Sequence, residues 1–229
     1  MTATIRVINP NSNPDVTSGM SHALEPLRTP EGPRLECVTL DGGPFGIESQ
    51  ADVSRVEPLL ADLVKADNEA AAFIIGCYSD PGLALCRETT KRPVFGIAEC
   101  AMLTALTRAM SFGVIAIMSK SISRHLRHMR ERLLHNHCAG ERPLELTVAE
   151  VESGSKTFEK MEKVGRELRD LDGAEVIIMG CAGMAKHRVA LDKSLGIPVV
   201  DPTQAAAGMA ISTIPVSYTH LTLPTSALV

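Results

Sequence analysis

One short pattern occurs twice in the chain and constrains its fold more than any other feature. An apolar run ends in Gly-Cys, small or turn-forming residues follow, and then come a helical stretch and a second apolar run containing Pro. The two copies are FIIGCYSDPG around Cys77 and VIIMGCAGMA around Cys181. Between Cys77 and Pro93 of PVFGI lie 15 residues, and between Cys181 and Pro198 of PVVDP lie 16. The apolar run beginning at Ile5 starts 72 residues before Cys77, and the run beginning at Phe112 starts 69 before Cys181. One matching spacing arises easily by chance; three together read as an internal duplication. The expectation is two lobes of about 100 residues, each presenting one cysteine at the same relative place.

The local signals agree on fold class. Residues 5–8 read as a buried strand running into the polar turn Asn9-Pro10-Asn11-Ser12-Asn13-Pro14, with Ser12 or Asp15 placed to cap a helix through residues 20–27. Strands are expected at 35–40, 73–75 and 93–97, and helices over 53–65 and 99–109. The second unit repeats the plan with strand 113–118, loop 119–121, a helix through 134, strand 144–148, a charged helix over 156–171 and strand 176–179. Strands alternating with helices of this length imply βαβ units, so the chain is an α/β protein with a mainly parallel sheet flanked by helices in each lobe. Residues 1–104 form the first lobe and 105–202 the second, and a helical pattern over 203–214 returns to the first. The Thr-rich stretch 215–229 has no helical period, resembles translated cloning or adapter sequence, and is set aside as a non-native tail.

Composition removes several function classes. A net charge of −4 carries no polyanion-binding signature, so nucleic acid is not an expected partner. No run of eighteen uncharged apolar residues exists and the N-terminus enters a strand pattern directly, so a membrane partner is not expected and the protein reads as cytoplasmic. In that compartment the six cysteines are reduced thiols to be judged singly. Cys37 lies in a strand pattern, and Cys86 and Cys100 lie in helical ones, so these three read as packing residues. His125, His128, His135, His137 and Cys138 suggest metal ligands, but the segment is Arg-rich and reads better as a solvated helix and its end, so no metal is assigned. No GxGxxG, GxxxxGK or GxSxG motif follows any strand, and no cofactor is assigned.

What remains is a pair of thiols. A cysteine directly after a buried strand and Gly, with helix-start residues behind it, sits where backbone N–H groups and a helix dipole can lower its pKa. A packed core thiol is the bland alternative, and the better one for a single cysteine; two in duplicated positions reverse that preference. Pseudo-twofold lobes bring the two loops face to face across one cleft, with polar side chains at Asn11, Ser12, Ser79 and Ser119 and backbone donors around Tyr78, Ser79, Ala182 and Gly183. Two thiols on opposite faces of one carbon form a proton-swap device. A thiolate removes a proton next to a carbonyl, backbone N–H groups hold the enolate, and the opposite thiol returns a proton on the other face.

At this point INPNSNPDV, GPFGIES, FIIGCYSDPG, VFGIAEC and VIIMGCAGMA, in that order over about 200 residues, resemble the hydantoin racemase branch of the Asp/Glu racemase superfamily, which includes allantoin racemases. The resemblance implies two pseudo-symmetric Rossmann-like lobes with the active site in the cleft between them, Cys77 and Cys181 as the acid/base pair, and no cofactor. Amino-acid racemases of the superfamily typically follow their cysteines with Asn-Thr and Thr-His, whereas this chain has Tyr78-Ser79-Asp80 and Ala182-Gly183. That departure favours a neutral cyclic ureide, a 5-substituted hydantoin or allantoin, over an amino-acid-like substrate such as free Asp or Glu. Maleate-isomerase-like chemistry stays open, as does a two-lobed small-molecule binding protein without turnover, and a homo-oligomer is compatible with the sequence.

Overall fold

The computed structural model describes residues 2–154 and 156–214, in which the chain builds two four-stranded sheets. The first contains β1 (Thr4–Asn9), β2 (Arg34–Thr39), β3 (Ala70–Ile75) and β4 (Val94–Gly96), ordered β2-β1-β3-β4. The second contains β5 (Phe112–Ala116), β6 (Cys138–Pro143), β7 (Val176–Met179) and β8 (Val199–Val200), ordered β6-β5-β7-β8. Every pairing is parallel, with Ile8 opposite Ile75 in one lobe and Ile115 opposite Met179 in the other. The α/β, two-lobed expectation holds. The central strands β3, β5 and β7 are apolar along their length because helices cover both faces of each sheet.

Nine α-helices connect the strands among the described residues: α1 (Pro14–Ala23), α2 (Gln50–Ala66), α3 (Leu83–Thr89), α4 (Ile97–Leu106), α5 (Ser119–Glu131), α6 (Val148–Ser153), α7 (Thr157–Asp170), α8 (Arg188–Leu195) and α9 (Pro202–Thr213). None is long and apolar enough to cross a membrane. Helix α1 is capped by Asn13, whose side chain accepts from the Asp15 N–H with Pro14 in the first turn; neither Ser12 nor Asp15 is the cap. Ser49 with Asp52, and Thr147 with Glu150, close capping boxes on α2 and α6. Helix α9 packs on α4, β3 and β4, and one apolar cluster runs from Val16 and Met20 of α1 through Ile115 and Met184 to Ala206 and Ala210 of α9.

Two local expectations fail for physical reasons. The second lobe's edge strand lies at Cys138–Pro143, not at 144–148, because no residue of β6 is fully buried and the hydrophobic signal falls on the segment that follows. Pro143 ends that strand at an edge, where a missing N–H is tolerated. Residues 119–121 are the first turn of α5 rather than a loop. The tail at 215–229 lies outside the described residues.

Candidate active site between the lobes

In each sheet the chain leaves the first strand toward one neighbour and returns on its other side, so the crossovers diverge at the carboxyl ends of β1 and β3, and of β5 and β7. Such a switch point is where open α/β sheets form a ligand crevice. The two Gly-Cys pairs stand there. Gly76 donates its N–H to Ile8 O at 2.8 Å, and Gly180 donates to Ile115 O at 2.9 Å. A Cβ on Gly76 would lie 2.6 Å from Met20 Sδ, and one on Gly180 2.5 Å from Ile115 O, closer than carbon can approach either atom. Glycine lets the strand end lie flush against its neighbour, and the next residue, cysteine, faces the cleft.

Cys77 and Cys181 line one cavity together with Asn11, Tyr78, Ser79 and Ala182. Gly183 stands behind Cys181 and bonds the sulfur through its N–H. Ser12 and Ser119 are exposed and away from the cavity: Asn11 and Asn13 turn inward on either side of Ser12, and Ser119 occupies the outer side of the first turn of α5. The sequence reading missed Ser121, Arg124 and His125, which α5 presents to the cleft, and the apolar wall of Val16, Ile47, Ile117 and Val148. A signal was present, since Ser121, His125 and Met129 recur every fourth residue and form the buried face of α5. A larger open groove, about 360 Å³, runs outside the seam past charged residues of α2 and α5 and the first turn of α3, and shares Ser79 and Arg124 with the cleft.

Both cysteines keep partial solvent access, yet burial dominates their chemistry. Burial pushes Cys77 up from 9.0 to about 11, against the Ser79 N–H and hydroxyl and the Arg124 guanidinium, which favour the thiolate. Burial pushes Cys181 up to about 12, opposed by the Gly183 N–H and reinforced by the negative charge of an ionised Cys77 and by Glu152 and Glu48. Backbone donors at Ser79 and Gly183 reach the two sulfurs, but desolvation outweighs them in this closed arrangement. Cys77 is the easier of the two to ionise, and ionising one makes the other harder to ionise, so the pair titrates as a unit.

The Cys77 loop is braced from both lobes. Asp80 is buried at φ 41°, a left-handed conformation that Asp tolerates better than most residues. Its carboxylate accepts the N–H groups of Ala98 and Glu99 at 2.9 Å and so caps α4 from a distant loop. His128 of α5 meets the same carboxylate at 3.1 Å. Arg124 donates to Ser79 Oγ at 3.1 Å, and Arg127 to Gln50 Oε1 at 2.6 Å, both across the seam. His125 is buried, pairs through Nδ1 with Glu141 Oε1 at 2.5 Å, and meets the Tyr78 ring edge-on at 5.1 Å. Among the described residues no group of three or more His, Cys, Asp or Glu side chains converges to hold a metal ion.

Residues 5–210 match the family described as Asp/Glu/Hydantoin racemase. A hydantoin racemase of Paenarthrobacter aurescens is 32% identical over 219 residues, 93% of this chain and 92% of the relative. The structure of an allantoin racemase from Klebsiella pneumoniae superposes with a TM-score of 0.86 at 29% identity, covering 92% of this chain and 87% of that one. An allantoin racemase from Pseudomonas fluorescens gives a TM-score of 0.87 at 25% identity, covering 91% and 89%. The paired sheets, the duplicated Gly-Cys strand ends and these similarities together identify the chain as a member of the Asp/Glu/hydantoin racemase family and, within it, as an isomerase of the racemase type.

Proposed function

We propose that the protein racemises 5-substituted hydantoins, with Cys77 and Cys181 as the two acid/base groups and without a cofactor. The observation that carries this reading is the pair of strand-end cysteines in one cleft, each with a backbone N–H two residues on that bonds its sulfur. The Cys77 thiolate takes the C5 proton from one face, the C5–H electron pair becomes the C4–C5 π bond as the carbonyl π pair moves onto oxygen, and the Cys181 thiol protonates C5 from the other face. The reverse direction exchanges the roles. Inversion therefore needs one thiolate and one thiol at a time, the state that mutual repulsion between the sulfurs favours.

The lining supports an apolar C5 substituent. Val16, Ile47, Ile117 and Val148 come from both lobes and offer no partner for a ureido group, while Asn11, Ser121 and Arg124 supply polar contacts for a ring with two N–H groups and two carbonyls. Allantoin is the second reading, favoured by the likeness to allantoin racemases. The test is to incubate enantiopure 5-isobutyl- or 5-benzylhydantoin and enantiopure allantoin in deuterated water, and to follow optical rotation and C5 deuterium above the uncatalysed background. Loss of rotation with deuterium uptake is expected, faster for the apolar substituents. Tight binding without either change would make the protein a binding protein and defeat the proposal.

A further inference from the structure

The cleft contains a buried His–Glu pair that the two-thiol scheme leaves unused. His125 faces the cavity from α5, its Nδ1 is held 2.5 Å from Glu141 Oε1 of β6, and its Nε2 bonds no group among the described residues. The Glu141 carboxylate thereby fixes the orientation of the ring. The other carboxylate oxygen, Glu141 Oε2, is buried without a hydrogen-bond partner, as is the hydroxyl of Tyr78, whose ring abuts the imidazole. Burial makes this carboxyl group's hydrogen bond to His125 costly to lose. Arg124 is not a further partner of that carboxyl group, since it bonds Ser79 and interacts more strongly with Cys77 than with Glu141. With Nδ1 engaged by Glu141, Nε2 is the ring nitrogen left to meet a molecule in the cleft.

We propose that His125, oriented by Glu141, donates from Nε2 to the substrate carbonyl oxygen as it becomes the enolate oxygen. The inference rests on the racemase reading. As the C5–H bond breaks, its proton passes to a thiolate and its electron pair becomes the C4–C5 π bond, displacing the carbonyl π pair onto oxygen. A donor preset in a dry cleft stabilises that developing charge more than it stabilises the neutral carbonyl. On reprotonation at C5 the pairs return and the Nε2 hydrogen is not transferred. Tyr78, packed against the ring and next to Cys77 in sequence, ties the donor's position to that of the base.

The test compares wild type, H125L and H125Q, the last of which keeps an amide N–H near the position of Nε2. Loss of one such donor costs about 10²–10³ in turnover. Thus H125L should lose that much kcat for C5 deuterium exchange with KM nearly unchanged, and H125Q should stay within about tenfold of wild type. Without any substrate, ¹⁵N NMR of histidine-labelled protein near neutral pH should read Nε2 of His125 as protonated. An H125L enzyme within about tenfold of wild type, an H125Q enzyme as impaired as H125L, or an unprotonated Nε2 would each overturn the proposal. A wild type that exchanges no C5 proton would instead defeat the racemase reading, and this inference with it.

Discussion

The two thiols should reveal their unequal burial to a neutral alkylating reagent. Iodoacetamide reacts with thiolate, so at pH values below both pKa values the rate at each cysteine follows its ionised fraction and climbs about tenfold per pH unit. Desolvation raises Cys77 to about 11 and Cys181 to about 12, so both rates should still be climbing between pH 7 and pH 9, where an ordinary exposed thiol levels off. A difference of one unit gives Cys77 about ten times more thiolate than Cys181. The more basic Cys181 thiolate is intrinsically the better nucleophile and recovers about a factor of three. Cys77 should therefore be modified about three times faster, read by quantifying the two alkylated peptides by mass spectrometry. Replacing Arg124 with Met removes the cation beside Cys77, and each unit by which that raises its pKa should slow the site by about threefold while leaving Cys181 nearly unaffected. Rates that are flat above pH 7.5 at either cysteine, or faster modification of Cys181, would refute the argument that burial governs these thiols.

Three further outcomes are expected. Cys77→Ser and Cys181→Ser should each abolish racemisation, because a hydroxyl is not an effective base near neutral pH, yet each should still exchange deuterium into one enantiomer with retention and the two should favour opposite enantiomers; racemisation of both enantiomers at wild-type rates by either mutant would remove the two-base assignment. Asp201 is raised to about 6, chiefly by burial, and has one oxygen without a partner while the other caps α9. Its folded pKa exceeds its unfolded one, so the stability it confers is complete below about pH 4 and lost as pH rises through about 6; D201N keeps the cap and should stabilise by roughly 1–3 kcal/mol at pH 7.5 and by nearly nothing at pH 4 in paired melts, an equal gain at both pH values being the contrary result. Activity should survive exhaustive dialysis against a chelator with reductant present, and a loss restored by zinc would be the contrary result.

Much of this molecule was legible because a duplicated, buried strand end has few sequence solutions. Close backbone approach demands glycine at 76 and 180, both central strands must be apolar, and the cysteine that follows has only the cleft to face. Legibility fell where burial was partial or contacts were long-range. Strand β6 has no buried apolar residue, so hydrophobicity pointed past it to Leu144. The helix at Ile97 begins where the strand was expected to continue, because its N-terminal donors are satisfied by Asp80, seventeen residues upstream. Arg124 and His125 lie in a strongly basic helix whose charge suggested solvent, and only the four-residue recurrence of Ser121, His125 and Met129 indicated an inward face. Of the serines assigned to the cleft, Ser79 lines it, whereas Ser12 and Ser119 miss by a residue or two, the difference between adjacent directions along a turn.

The inequality of the two thiols sets a condition that a racemase of this design must meet. On the proposed two-thiol mechanism, two forms of the free enzyme bind substrate productively, one with the thiolate on Cys77 and one with it on Cys181, and each accepts the enantiomer whose C5–H faces its thiolate. Arg124 and the Ser79 donors favour the first form, while Glu152 and Glu48 disfavour the second. Enantiomers have equal free energies, so the equilibrium constant of the reaction is unity and kcat/KM must be identical for both, whatever the protein does to its cysteines. The bias can appear only as a compensating change in kcat and KM. The enantiomer read by the favoured Cys77 thiolate meets an abundant enzyme form and should show the lower KM, but its turnover leaves the enzyme in the disfavoured form, with the proton on Cys77. Removing Arg124 should bring the two KM values together while their kcat/KM values fall in step. Unequal kcat/KM values for the two enantiomers would show that the reaction measured is not a simple inversion at one carbon.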